Sequence, residues 1–188
     1  MEVTGTPLTD ADRIDWLRLI RTPSVGPRLF MDLIERFGSP SAAIDALPDI
    51  ARRAKGKKRL AAPPVAEIET ELDRLYRAGG RLIALCEPDY PDRLAAIADP
   101  PPVLFIRGGT DILYRPAIAI VDARNASSNG KRFAEDIAAE LGAAGYVVVS
   151  GLARGIDGAA HRGSLPTGTI AAVAGGIDVV YPPEHEDL

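Results

Sequence analysis

Between residues 117 and 174 the chain alternates short β-branched runs with helix-patterned segments, a rhythm that few architectures satisfy. Strands are expected at 117–121, 146–150 and 169–174, with helices over 131–144 and 157–165. The run Tyr146-Val147-Val148-Val149 has no polar alternation, as a strand covered on both faces requires. The stretch Ser150-Gly151-Leu152-Ala153-Arg154-Gly155-Ile156-Asp157 then carries the chain from this strand into a helix. Gly151 and Gly155 permit backbone angles or close approaches that a side chain forbids. Asp157 stands where an N-cap is expected. Free amides at a helix start, with Arg154 beside them, suit a phosphate, whether free or in a nucleic-acid backbone.

Strand and helix in alternation imply an α/β fold with a doubly wound, mainly parallel sheet of Rossmann type, whose ligands bind at the carboxyl ends of the strands. Three loops, 122–130, 151–157 and 175–181, converge on that edge. The first supplies Arg124, Asn125, Ser127, Ser128 and Lys131, the second Arg154, and the third the pair Gly175-Gly176. No G-x-G-x-x-G follows the first strand, which argues against a dinucleotide cofactor. His161, one turn into the second helix, is read as a capping or packing residue or as a nucleic-acid contact. As a general base it would need Ser150 or Ser164 as its nucleophile.

The N-terminal part is helical. Apolar spacing predicts helices over 14–21, with Asp10 or Asp12 near the start, and over 27–37, entered by Pro27 and ended by Gly38. A third helix should begin near Ser39 to Ser41 and bury Ala42, Ile44 and Leu47. A fourth should follow Pro64, show Val65, Ile68, Leu72, Leu75 and Tyr76 on one face, and stop at Gly79-Gly80. Helix, Val25-Gly26-Pro27 turn, helix is similar to helix-hairpin-helix and sterile-alpha-motif-like modules, whose hairpin can offer amides to a DNA phosphate. Strands are expected at 81–86 and 103–106. Domains of 1–78 and 79–188 result.

Charge and cysteine content narrow the function classes. A formal charge of −4 excludes a uniformly basic nucleic-acid binder, so a phosphate site must be a local patch. The densest positive charge is the run over 52–59, a candidate backbone contact or a solvated segment. Cys86, the single cysteine, rules out an intramolecular disulfide and reads as a buried, inert thiol. The two histidines, His161 and His185, form no cluster at metal-ligand spacing; neither metal nor cofactor is expected. Residues 1–10 lack the apolar core of a signal peptide, and no apolar run is long enough for a bilayer, so the expected location is cytoplasmic.

Several separated segments together resemble the DNA processing protein A (DprA/Smf) family. They are Tyr90-Pro91 with Leu94; Asp99-Pro100-Pro101-Pro102-Val103-Leu104-Phe105; Ser150-Gly151 with Ala153-Arg154-Gly155-Ile156-Asp157 and Ala160-His161; and Thr169-Ile170-Ala171 leading to Gly176, Asp178 and Tyr181-Pro182. Gly26-Pro27 and Arg36-Phe37-Gly38-Ser39-Pro40 look like its sterile-alpha-motif-like domain. The resemblance implies a non-catalytic mediator that binds single-stranded DNA, protects it, and loads the RecA recombinase in natural transformation. Arg124, Ser150, Gly151, Arg154, Gly155 and Asp157 match family positions; with Ser127, Lys131 and His161 they form the expected DNA or phosphate site. Two departures stand out. Asp122-Ala123-Arg124 replaces the family's Gly-x-Arg, and the family's sheet continues well past Tyr181-Pro182, so the domain reads as truncated. The missing half would carry the dimer and recombinase surfaces.

Two other classes compete. A nucleotide or nucleoside-phosphate hydrolase would need a carboxylate to activate water, with Asp122, Asp157 and Asp178 as candidates. A protein-interaction module could rest on the helical N-terminus.

Overall fold

A computed structural model of the chain describes residues 7–53 and 60–188. It forms two compact units, Met1–Arg107 and Gly108–Leu188. Most of the basic run, 54–59, lies outside the described residues.

In the first unit Thr9 caps α1 (Asp10–Arg21). Its hydroxyl oxygen accepts from the Asp12 amide at 3.2 Å, and the Asp12 carboxylate accepts from the Thr9 amide at 3.0 Å. This reciprocal pairing satisfies two amides that the first turn would otherwise strand. Helix α2 (Pro27–Phe37) starts on Pro27, whose ring fixes a helical φ, and stops at Gly38 in the left-handed region, φ 83°. Helix α3 (Pro40–Arg53) buries Ala43 and Leu47, one turn apart, while Ala42 is exposed. Leu47 is buried as expected and Ile44 half-buried, whereas Ala43 takes the place expected for Ala42. Helix α4 (Val65–Arg77) buries Ile68, Leu72 and Leu75; Val65 and Tyr76 are exposed at the margin of that stripe. Trp16 and Phe30 meet with ring centroids 5.0 Å apart, joining α1 to α2 inside the helical core.

After α4 the chain forms β1 (Gly80–Ala84), then the single turn α5 (Asp92–Ala95), then β2 (Val103–Arg107). The two strands pair antiparallel, Gly80 opposite Arg107 and Ala84 opposite Val103. Both strands fall within the first compact unit, which ends at Arg107. Glu87 is buried here, and its carboxylate accepts from the amides of Leu8 and Ala84 and from Arg13, which compensates the lost hydration. Burial, aided by Glu87, pushes the neighbouring Cys86 thiol up to about 11, so the thiolate is scarce at neutral pH.

The second unit contains β3 (Ala117–Ala119), α6 (Ser128–Ala143), β4 (Val147–Ser150), α7 (Ile156–Ser164) and β5 (Thr169–Ala171). All three strands are parallel, in the order β3-β4-β5, with Ile118 beside Val148 and Val148 beside Thr169. Val148 packs on Ala138 of α6 and Ala160 of α7, which places both helices on one face of the sheet. Small side chains let those helices approach closely: Ala134, Ile156 and Ala159 make a second cluster, with Ile120 and Ala126 against it. Ala117 and Ala119 on β3 are exposed.

Candidate nucleic-acid interface

The carboxyl ends of β3 and β4 lead into the starts of α6 and α7, and these two helix N-termini lie side by side. A Cβ built on Gly130, in the first turn of α6, would be 3.8 Å from Ile156, the first residue of α7. Ser127 caps α6, its Oγ accepting from the Gly130 amide at 3.1 Å. No acidic residue occupies the first turn of α6. At α7 the N-cap is Gly155, with no side-chain cap. Two partial positive charges therefore share one edge of the sheet.

The loops are held together by close backbone approach. Gly155 has φ 84° and ψ −121°, and a Cβ there would lie 2.4 Å from the Ala123 carbonyl oxygen and 2.7 Å from that of Arg124. The first loop thus sits against the central one because residue 155 has no side chain. Arg124, Lys131 and Arg154 are exposed on these segments. Arg154 Nη2 lies 2.5 Å from a Glu184 carboxylate oxygen. Asp122 Oδ1 accepts from the Ala123 amide at 2.7 Å.

Three of the expected site residues support the loop from beneath. Ser150 is buried and its hydroxyl donates to the Ile120 carbonyl at 2.6 Å, tying β4 to the end of β3. Asp157 is the second residue of α7 and does not cap it. Its Oδ2 turns back to accept from the amides of Gly151 and Ala153, at 3.1 and 3.3 Å. A Cβ on Gly151 would stand 2.8 Å from that oxygen, so the missing side chain makes room for the carboxylate. Those two amides are consequently taken.

His161 is buried at 2% exposure, and its tautomer follows from its neighbours. The Thr169 hydroxyl donates to the Val148 carbonyl at 2.8 Å, so Thr169 Oγ1 must accept from His161 Nδ1–H, also at 2.8 Å. Nε2 and Asp157 Oδ1 are buried without a hydrogen-bond partner. Burial holds the imidazole below its ordinary value of 6.5 and outweighs the opposing pull of Asp157; His185 adds to the lowering. Since the folded state prefers the neutral ring, this group's contribution to stability is intact above that ordinary value and is lost as pH falls below it. Thermal unfolding should show a steeper loss of stability from pH 7 to pH 5 in the parent chain than in His161→Asn. Asparagine retains a donor for Thr169 and cannot take a charge; equal slopes would refute the assignment.

At the helical hairpin Gly26 caps α2 without a side-chain bond, and Arg28 pairs with Asp99 through two contacts, Nε at 2.5 Å and Nη2 at 2.8 Å. The adjoining hollow, about 420 Å³, is lined in part by Asp32 and Asp99, a poor match for a phosphate. Among the described residues no group of three or more His, Cys, Asp and Glu side chains could hold a metal ion, and no helix is long and apolar enough to cross a membrane. Sequence reasoning missed Glu184 and His185. His185 Nδ1–H donates to the Leu152 carbonyl at 3.0 Å, across 33 residues. No periodicity signals such a pairing.

Fold and site define a class: a helical hairpin module followed by a parallel α/β sheet whose strands lead into adjacent helix starts. The chain belongs to the DNA recombination-mediator protein A family, whose model matches residues 81–188, and a DprA-like N-terminal HHH domain matches residues 10–73. Protein Smf of Escherichia coli is 31% identical over 180 residues, covering 92% of this chain and 47% of that protein. Protein Smf of Synechocystis sp. is 28% identical over 193 residues, covering 96% and 48%. The chain thus spans about half the length of these curated relatives. The X-ray structure of DNA processing protein A from Streptococcus pneumoniae superposes with a TM-score of 0.69 at 26% identity, over 97% of this chain and 63% of that one. That of Helicobacter pylori, described for its single-stranded DNA binding mode, gives 0.50 at 30% identity over 56% and 47%.

Proposed function

We propose that this chain binds single-stranded DNA through its phosphate backbone and serves as a recombination mediator. The observation that carries this reading is the adjacency of the α6 and α7 N-termini, with Arg124, Lys131 and Arg154 exposed on the same loops. Guanidinium and ammonium groups beside two helix starts match a run of phosphates and are indifferent to base sequence. Ser127, Gly151 and Gly155 shape the loops, while Ser150, Asp157 and His161 keep them in place. Two carboxylates on which a hydrolase would depend are engaged otherwise: Asp157 is buried under two amides, and Asp122 bonds to Ala123. The family resemblance extends the proposal to a non-enzymatic role in the cytoplasm, in which the protein protects incoming DNA and loads RecA. The resemblance extends further to a homodimer where the remaining portion of the family's length is present.

Fluorescence anisotropy of a labelled oligothymidylate tests the site. Arg154→Ala and Arg124→Ala should each weaken binding about tenfold at low salt, the loss of one charge-assisted contact. Each should also flatten the plot of log affinity against log salt by about 0.7. Unchanged affinity and slope in both variants would remove this reading.

A further inference from the structure

The turn Pro183–His185 docks on the central loop through contacts that differ in kind. Pro182 and His185 are buried. His185 donates to the carbonyl of Leu152, a residue held at φ 58°, where a side chain is strained. Its ring also fills the space over Gly158, where a Cβ would come within 2.6 Å. These contacts fix the turn, and the turn fixes Glu184, whose carboxylate lies 2.5 Å from Arg154 Nη2.

From this geometry we infer that Glu184 is a resident anion in the Arg154 phosphate position and sets which ligands the site accepts. The inference rests on the phosphate reading proposed above. A carboxylate oxygen at hydrogen-bond distance from the guanidinium stands where a phosphate oxygen would stand. Its own backbone amide and the Arg154 pairing hold the carboxyl below the usual carboxylate range, so it remains charged at neutral pH. Both side chains are more than half exposed, 60% for Arg154 and 56% for Glu184, so the pair is weak and water-screened. A single anion gains little by displacing it. A strand that also engages Arg124, Lys131 and the helix starts brings several phosphates at once, and it exchanges the carboxylate for one of them. Glu184 thereby favours a polyanionic strand over an isolated phosphate.

The test is a double-mutant cycle on the full 188-residue chain, read by anisotropy of labelled oligothymidylate at low salt. Glu184→Gln should tighten binding about fivefold, as expected for removing one charge near the bound phosphate in a water-exposed setting. In the Arg154→Ala background the same substitution should change little. Both positions are exposed, and thermal unfolding of each variant should coincide with that of the parent. If Arg154→Ala weakens binding and Glu184→Gln does not tighten it, the phosphate site stands and the competitor role is wrong. An equal gain with and without Arg154 would mean a general charge effect and would also overturn the inference. If Arg154→Ala changes nothing, or the parent and Glu184→Gln both fail to bind, the site reading fails and the inference falls with it.

Discussion

Gly155→Ala is expected to destabilise the second unit by about 2–6 kcal/mol, the sum of a backbone strain of roughly 1–3 and an overlap of similar size. The strain arises because φ 84° with ψ −121° is a conformation that residues bearing a Cβ avoid. The overlap arises because the new methyl would sit 2.4 and 2.7 Å from two carbonyl oxygens, those of Ala123 and Arg124. Neither neighbour is a flexible side-chain end, so relief requires the first loop to move as backbone. Against a total stability of about 5–15 kcal/mol for a domain, such a loss is severe. Calorimetric unfolding should show a midpoint lower by about eight degrees or more, on a scale of roughly 4–8 °C per kcal/mol for a unit this small. Gly175→Ala is the matched control, since a Cβ there meets nothing within 4 Å and its φ is not in the left-handed region. A Gly155→Ala midpoint close to that of Gly175→Ala would contradict the packing of the two loops.

Much of this arrangement was legible in the residues, because it depends on local chemistry. An unbroken valine run, a glycine-rich loop and a helix-patterned stretch identify β4, the central loop and α7 without reference to anything distant. The same holds for α2, where Pro27 and Gly38 mark both ends. What escaped depends on neighbours far along the chain. Asp157 has the composition of an N-cap, yet its carboxylate turns back to the loop, because Gly151 leaves it space and two amides await it. Ser150 was expected to face a ligand and instead bonds to Ile120, a partner supplied by the neighbouring strand. On α3, Leu47 is buried as its spacing indicates, but Ala43 is buried in place of Ala42, since the two are alike in hydrophobicity and only packing distinguishes them. The strands after residue 79 carried no signal that they would pair with each other and leave the parallel sheet to β3, β4 and β5.

Gly163→Ala tests the other contact on which the interface depends, the packing of α6 against α7. Two effects oppose each other. Alanine is the better helix former, worth up to about 1 kcal/mol in a helix interior. The added methyl, however, would lie 2.1 Å from the Glu135 carbonyl oxygen, 2.9 Å from its carbonyl carbon and 3.1 Å from its Cα. All three are backbone atoms of one residue in α6, so no rotamer change relieves the overlap; the helices must separate. Separation loosens the Ala138, Val148 and Ala160 cluster and the Ala134, Ile156 and Ala159 cluster, which lie between the same helices and the sheet. Overpacking of this kind costs about 1–3 kcal/mol, and opening tightly packed small-residue contacts adds to it. The expected net result is a loss of about 1–3 kcal/mol, the loosened contacts offsetting the gain in propensity. The helix starts that flank the proposed phosphate site would splay as α6 and α7 part, so weaker oligothymidylate binding should accompany the lower unfolding midpoint. A neutral or stabilising substitution would mean that the α6–α7 contact has slack, and the helix starts would then not be held in a fixed relation.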